Sequence, residues 1–211
     1  MRKAILAIAM CCGSGAAAEE VVIAALGDSL TQGYGLPQEQ GFVPQMQAWL
    51  DAQGADVRLI NAGVSGDTTA GGFARVDWTL TPEVDAMIVA LGGNDLLRGI
   101  DPDASRASLE GIMQVAETRD VDVLLVGMQA PGNYGPAYKE RFDAIYPDLA
   151  AAYGASLVPG FFDGLAAEEN DLSSVSGFMQ PDGIHPNAAG VARIVAAMGP
   201  AVLALAEGRA E

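Results

Sequence analysis

Two short stretches at opposite ends of the chain carry residues that together can do acyl-transfer chemistry. Gly27-Asp28-Ser29-Leu30 stands near the start, and Asp182-Gly183-Ile184-His185-Pro186 near the end. His185 is the sole histidine of the sequence. A serine hydroxyl is a poor nucleophile at neutral pH unless a base within hydrogen-bond reach takes its proton, and histidine is the usual base. The imidazole needs a carboxylate to fix its tautomer and stabilise the cation that forms, and Asp182 stands three positions away. Ser29, His185 and Asp182 thus fill the nucleophile, base and acid roles of a serine hydrolase. Each stretch alone has a plainer reading: a strand-end turn or helix cap at Gly27–Leu30, a turn at Asp182-Gly183, and a helix entry at His185-Pro186.

Such residues need a scaffold that brings distant stretches together. Five short apolar runs read as strands: Val21–Leu26, Val57–Ile60, Ala86–Leu91, Val121–Val126 and Ser156–Val158. Nearly continuous apolar strands suit a parallel sheet covered on both faces. Between them lie helical patterns. Phe42, Met46, Trp49 and Leu50 follow helical spacing, with Gly54 as a stop. Ser105–Thr118 follows Asp101-Pro102, with Leu109, Ile112, Met113 and Ala116 as its apolar stripe. Tyr138–Tyr153 and Asn187–Ala206 complete the set. This alternation predicts a three-layer α/β/α sandwich around a central parallel sheet, with right-handed crossovers.

The first residues read as an export signal. Arg2 and Lys3 are followed by an apolar run from Ala4 to Cys12 and a small-residue cleavage site at Ala16-Ala17-Ala18. Residues 1–18 are therefore expected to be removed, and residues 19–211 to form a single domain in the periplasm or secreted medium. Lipoprotein anchoring at Cys11 or Cys12 fits poorly, because Met10, the residue before Cys11, is too large for the usual lipoprotein cleavage site. The apolar run is also too short to span a bilayer, which takes about 20 residues. Both cysteines lie in this leader, so the mature chain holds no disulfide or thiolate site. Its loss leaves nine basic residues against 27 acidic, a formal charge of −18. That charge repels nucleic acid and anionic membrane faces. With one histidine and no calcium-loop spacing, neither a metal nor a cofactor is expected.

In open parallel sheets, sites form beyond the carboxyl ends of the strands. Three consecutive strand ends here carry glycine beside small polar residues: Gly27-Asp28-Ser29, Asn61 to Thr69, and Gly92-Gly93-Asn94-Asp95. No lysine follows the glycines of the second segment, which argues against a phosphate loop. With Asp182–Pro186 these segments make four blocks in order, and the set resembles the SGNH, or GDSL, hydrolase family. The resemblance implies a flavodoxin-like SGNH hydrolase fold. It also implies that Ser29 attacks an acyl carbon, that Asp182 and His185 serve as acid and base, and that Gly66 and Asn94 join the Ser29 amide in an oxyanion hole. Within the family the chain is most similar to small bacterial periplasmic thioesterases and lysophospholipases of broad specificity. The likeness extends through Leu91–Gly99, Met128–Tyr134, Ile145-Tyr146-Pro147 and Met179–Asn187.

The expected activity is hydrolysis of aryl esters, acyl thioesters and lysophospholipids, with a small-molecule or lipid ester as the partner and a monomer as the default state. A carbohydrate O-acetylesterase uses the same machinery on a smaller acyl group and stays open. So does a binding protein that kept the fold and lost turnover. An acyl chain wants an apolar groove, for which Leu96, Leu97, Ile100 and Pro131–Pro136 are candidates alongside ordinary core packing. Ser65 reads as a structural hydroxyl, since no G-x-S-x-G elbow surrounds it. Asp28, Asp67 and Asp95 read as acceptors for loop amides. Asp163–Gly177, polar and glycine-containing, reads as a loop over the site.

Overall fold

A computed structural model describes residues 20–165 and 175–210. The expected leader and most of the Asp163–Gly177 segment lie outside the described residues. Five parallel strands form one sheet in the order β2-β1-β3-β4-β5. They are β1 (Val21–Gly27), β2 (Val57–Gly63), β3 (Ala86–Ala90), β4 (Asp122–Val126) and β5 (Ser156–Val158). The helices are α1 (Ser29–Gln32), α2 (Phe42–Gln53), α3 (Thr69–Thr79), α4 (Gly93–Arg98), α5 (Pro102–Thr118), α6 (Pro136–Asp143), α7 (Ile145–Tyr153) and α8 (Ala188–Ala210).

The sheet is the flavodoxin-like arrangement, whose strand order reverses between β1 and β3. Right-handed crossovers then put α2 on one face and α3, α5 and α7 on the other. Contacts agree: α2 packs on α8, α3 packs on α5, and α6 and α7 pack on α5. β1 and β3 are buried along their whole length, as strands covered on both faces must be. The stripe of Leu109, Ile112, Met113 and Ala116 on α5 is buried as expected. The apolar character of α8 has the same cause, since Val191, Ile194, Val195, Met198 and Val202 all enter the core.

Three departures from the expected elements have local causes. β2 runs on through Asn61–Gly63, because Gly63 lets the strand end lie against α1. A Cβ there would stand 2.3 Å from the Gln32 amide nitrogen. The helix expected over Tyr138–Tyr153 is two helices, broken at Ala144. Pro147 has no N–H to donate to the Asp143 carbonyl, so the first helix cannot continue through it. α3 and α4 arise where no helix was expected. α3 contains Gly71-Gly72, which weakens helical propensity, and α4 has only six residues.

Candidate active site

Ser29 stands at the switch point of the sheet, as the first residue of α1 immediately beyond β1. Asp28 makes this abrupt turn possible. Its carboxylate accepts the Leu30 N–H at 2.9 Å, capping the one-turn helix. His185 comes from the other end of the chain, on the loop that leads into α8. Its Nε2 lies 2.9 Å from Ser29 Oγ, and its Nδ1 lies 2.6 Å from Asp182 Oδ2. The neutral imidazole can therefore accept the serine hydroxyl proton while its Nδ1–H donates to the carboxylate.

Asp182 is held by its own turn. Its Oδ1 accepts the N–H groups of Ile184 and His185 at 2.9 and 3.0 Å. The His185 backbone N–H, the His185 ring and the Ile184 N–H together pull its carboxyl down to about 2. The Asp182 carboxylate thus stays ionised across any ordinary pH. Asp28 behaves in the opposite way. It is almost wholly buried, and burial pushes its carboxyl up to about 6 against the bonds from Leu30 and Asn94.

The candidate oxyanion donors sit on two neighbouring turns. Asn94, in the first turn of α4, donates from Nδ2 to Asp28 Oδ2 at 3.2 Å. The second hydrogen of that amide remains for a ligand. Gly66 adopts φ +81°, and its carbonyl accepts from Arg98 at 2.8 Å. Asp95, fully buried, accepts the Thr69 N–H at 2.9 Å, the Thr69 hydroxyl at 2.6 Å and the Ser105 hydroxyl at 2.8 Å. It thereby joins the starts of α3 and α5 to α4. Arg75 ties the two strand ends to the loop by donating to the Gly27 and Ala62 carbonyls and pairing with Asp67 at 2.7 Å. The β3 end is fixed from beneath, where the Tyr146 hydroxyl donates to the Leu91 carbonyl at 2.8 Å. Gly92, at φ +114°, makes room, since a Cβ there would meet that hydroxyl at 2.1 Å.

A groove of about 470 Å³ opens beside Ser29 and His185, walled by Leu96, Leu97, Met128, Pro131, Tyr134 and Phe162. Gly66 and Asn94 also line it. The site therefore joins a serine–imidazole–carboxylate relay, amide donors and an apolar trough.

The model of the GDSL-like lipase/acylhydrolase family matches residues 25–193, which contain every element of this site. The chain belongs to that family. Esterase TesA of Pseudomonas aeruginosa is 41% identical over 181 residues, covering 85% of this chain and 86% of TesA. Thioesterase 1/protease 1/lysophospholipase L1 of Escherichia coli (strain K12) is 35% identical over 173 residues, covering 82% and 77%. The crystal structure of the psychrotrophic esterase EstA from Pseudoalteromonas, inhibited by monoethylphosphonate, superposes with a TM-score of 0.77. That match is at 31% identity over 86% of this chain and 96% of EstA. The protein is accordingly a member of the GDSL-like lipase/acylhydrolase family with an α/β/α fold.

The structure brings together all five residues singled out in the sequence: Ser29, Asp182, His185, Gly66 and Asn94. Ser65 stands apart from the relay, its hydroxyl donating to Gln32 Oε1 at 2.9 Å. Asp28 and Asp95 do accept loop amides as expected, whereas Asp67 takes the Arg75 guanidinium. Ile100 does not line the groove; its carbonyl instead accepts the Tyr138 hydroxyl at 2.8 Å. Pro136 is absent from the wall as well, because it begins α6. Sequence reasoning missed Tyr34, Gln180 and Phe162. Tyr34 was findable only as an aromatic five residues past the serine, and the other two carry no spacing signal.

Proposed function

We propose that the protein is an exported hydrolase that cleaves carboxylic esters and thioesters through an acyl-enzyme on Ser29. The observation that carries this reading is the unbroken relay from Ser29 Oγ to His185 Nε2 at 2.9 Å and from Nδ1 to Asp182 at 2.6 Å, at the mouth of an apolar groove. Ser29 Oγ attacks the acyl carbon as His185 takes its proton, and the carbonyl oxygen becomes an oxyanion. The amides of Ser29 and Gly66 and the Asn94 side chain are the donors that receive it. The start of α1 adds a field favourable to negative charge. His185 then passes the proton to the leaving alcohol or thiol. Water repeats the sequence on the acyl-enzyme, with His185 again as base, and frees the acid.

Aryl esters, acyl thioesters and lysophospholipids suit this groove, because its walls are aliphatic and aromatic side chains. A trough of this size favours acyl chains longer than acetyl, and so weighs against the carbohydrate O-acetylesterase reading. Export rests on the charged, apolar and small-residue order of residues 1–18. The test is hydrolysis of p-nitrophenyl esters from acetyl to palmitoyl by the mature protein and by Ser29→Ala. Turnover that disappears in the variant and peaks beyond acetyl supports the proposal. An acetyl-only optimum would favour the deacetylase, and turnover that survives Ser29→Ala would overturn the serine mechanism.

A further inference from the structure

Ser29 and His185 are 156 positions apart in the chain, one at the start of α1 and the other on the loop before α8, yet they must hold a 2.9 Å contact. One side chain hydrogen-bonds to both the turn after α1 and the loop before α8. Gln180 Nε2 donates to the Tyr34 carbonyl at 2.8 Å and to the Pro186 carbonyl at 3.0 Å. A carboxamide has two such hydrogens, and here one serves the nucleophile's segment and the other the base's segment. The same residue donates its backbone N–H to the His185 carbonyl at 2.7 Å. On the far side, the Tyr34 N–H returns to the Ser29 carbonyl at 3.1 Å, so the tie begins one turn from the nucleophile.

The backbone is shaped to admit this link. Gly35 adopts φ +75°, and a Cβ there would stand 2.2 Å from Gln180 Oε1. The Tyr34 ring adds a second constraint. It lies over the His185 imidazole with centroids 4.6 Å apart and planes inclined by 37°. Tyr34 is half exposed, so core packing does not account for its place. A ring face held there also attracts the positive charge that the imidazole gains when it takes the serine proton.

We propose that Gln180 and Tyr34 are positioning residues that hold His185 in line with Ser29. Gln180 acts by joining the two loops, and Tyr34 by fixing the plane of the imidazole. The inference rests on the proposed serine mechanism, and its test separates the two.

Steady-state kinetics on p-nitrophenyl butyrate are measured for wild type, Ser29→Ala, Gln180→Met, Tyr34→Leu and Tyr34→Phe. Gln180→Met keeps the length and removes both donors. A displacement of about 1 Å costs on the order of a hundredfold in rate, so kcat falls about ten- to a hundredfold in Gln180→Met while KM moves less than about threefold. Tyr34→Leu loses about tenfold in kcat, and Tyr34→Phe recovers most of that loss because the ring is kept. The double variant Gln180→Met/Tyr34→Leu loses less than the product of the single losses, since both changes loosen one contact. Should Gln180→Met fail to fold, the Tyr34 pair alone decides, because that side chain is at the surface. Losses confined to KM, or unaltered kcat in both Gln180→Met and Tyr34→Leu while Ser29→Ala is dead, overturn the positioning role. Turnover in Ser29→Ala overturns the serine mechanism, and this inference with it.

Discussion

The two halves of the site are stabilised in opposite ways. The half built on the ends of β1, β2 and β3 is braced from the interior. Asp28, Thr69, Asp95 and Ser105 are all nearly or wholly buried, and they link four segments of chain through side-chain bonds. The half that carries Asp182 and His185 is a surface loop, held by bonds among near neighbours and by the Gln180 link. The two aspartates record the contrast. Burial pushes Asp28 up to about 6, whereas backbone N–H groups and the imidazole pull Asp182 down to about 2. A donor set for an oxyanion gains from rigidity and exclusion of water, because its dipoles must already point at the charge that develops. A base that accepts and returns a proton needs a fixed tautomer and an ionised partner, which a short turn at the surface supplies.

The comparison sharpens if each half is removed in turn. His185→Ala strips the proposed base and is expected to lower kcat on the order of 10⁶-fold, as loss of the base does in serine hydrolases. A fall of less than about a hundredfold would show that another group accepts the serine proton. Asn94→Ala removes one donor from the internal half and is expected to cost about 10²- to 10³-fold in kcat, with little change in KM. Weakened binding with unaltered turnover would take Asn94 out of the oxyanion hole. The first variant thus tests the half on the surface loop and the second the half braced from the interior, with the larger loss in the first.

The two halves also differed in how far they could be read from sequence. Strand positions were legible because uninterrupted apolar runs have few alternatives, and Ser156–Val158 was placed to the residue. Ser29, Gly66 and Asn94 were legible because glycine and small polar residues cluster at strand ends, where a parallel sheet puts its ligands. His185 and Asp182 were legible because the sole histidine has an aspartate three positions before it. Ile100 was misplaced because periodicity cannot say whether a residue after a short helix faces the groove or offers its carbonyl to Tyr138. α3 stayed hidden because its glycines, which lie against Leu91 and Asp67, are chosen for close approach rather than helix propensity. Gln180 was invisible for a different reason. Its role consists of bonds to two backbone carbonyls, and a carbonyl carries no sequence signature.

Stability measurements extend the comparison to smaller effects. Asp95→Ala leaves the Thr69 N–H and the Thr69 and Ser105 hydroxyls buried without their acceptor. Each orphaned group costs about 1–3 kcal/mol, so a loss of at least about 3 kcal/mol in unfolding free energy is expected by denaturant titration. A loss below about 1 kcal/mol would mean that water or a rearranged loop replaces the carboxylate, and that this half is softer than its burial implies.

Asp28→Asn gives the smallest effect and the one with a definite pH signature. The folded-state value of about 6 lies above the ordinary 3.8, so the fold holds the Asp28 proton more tightly than the unfolded chain does. The stabilisation from that proton is complete below pH 3.8 and is lost as pH rises through about 6. At 1.36 kcal/mol per pH unit, ionised Asp28 costs wild type about 3 kcal/mol at neutral pH. Asparagine does not titrate. The difference in unfolding free energy between Asp28→Asn and wild type should therefore shift in the variant's favour by up to about 3 kcal/mol between pH 4 and pH 7.5. Activity should move the other way, because an asparagine amide that keeps its oxygen on the Leu30 N–H faces the Asn94 amide donor to donor. A pH-independent difference in stability would show that Asp28 is solvated like the surface aspartate. The contrast between a half braced from the interior and a half held by a surface loop would then fail at the residue that joins them.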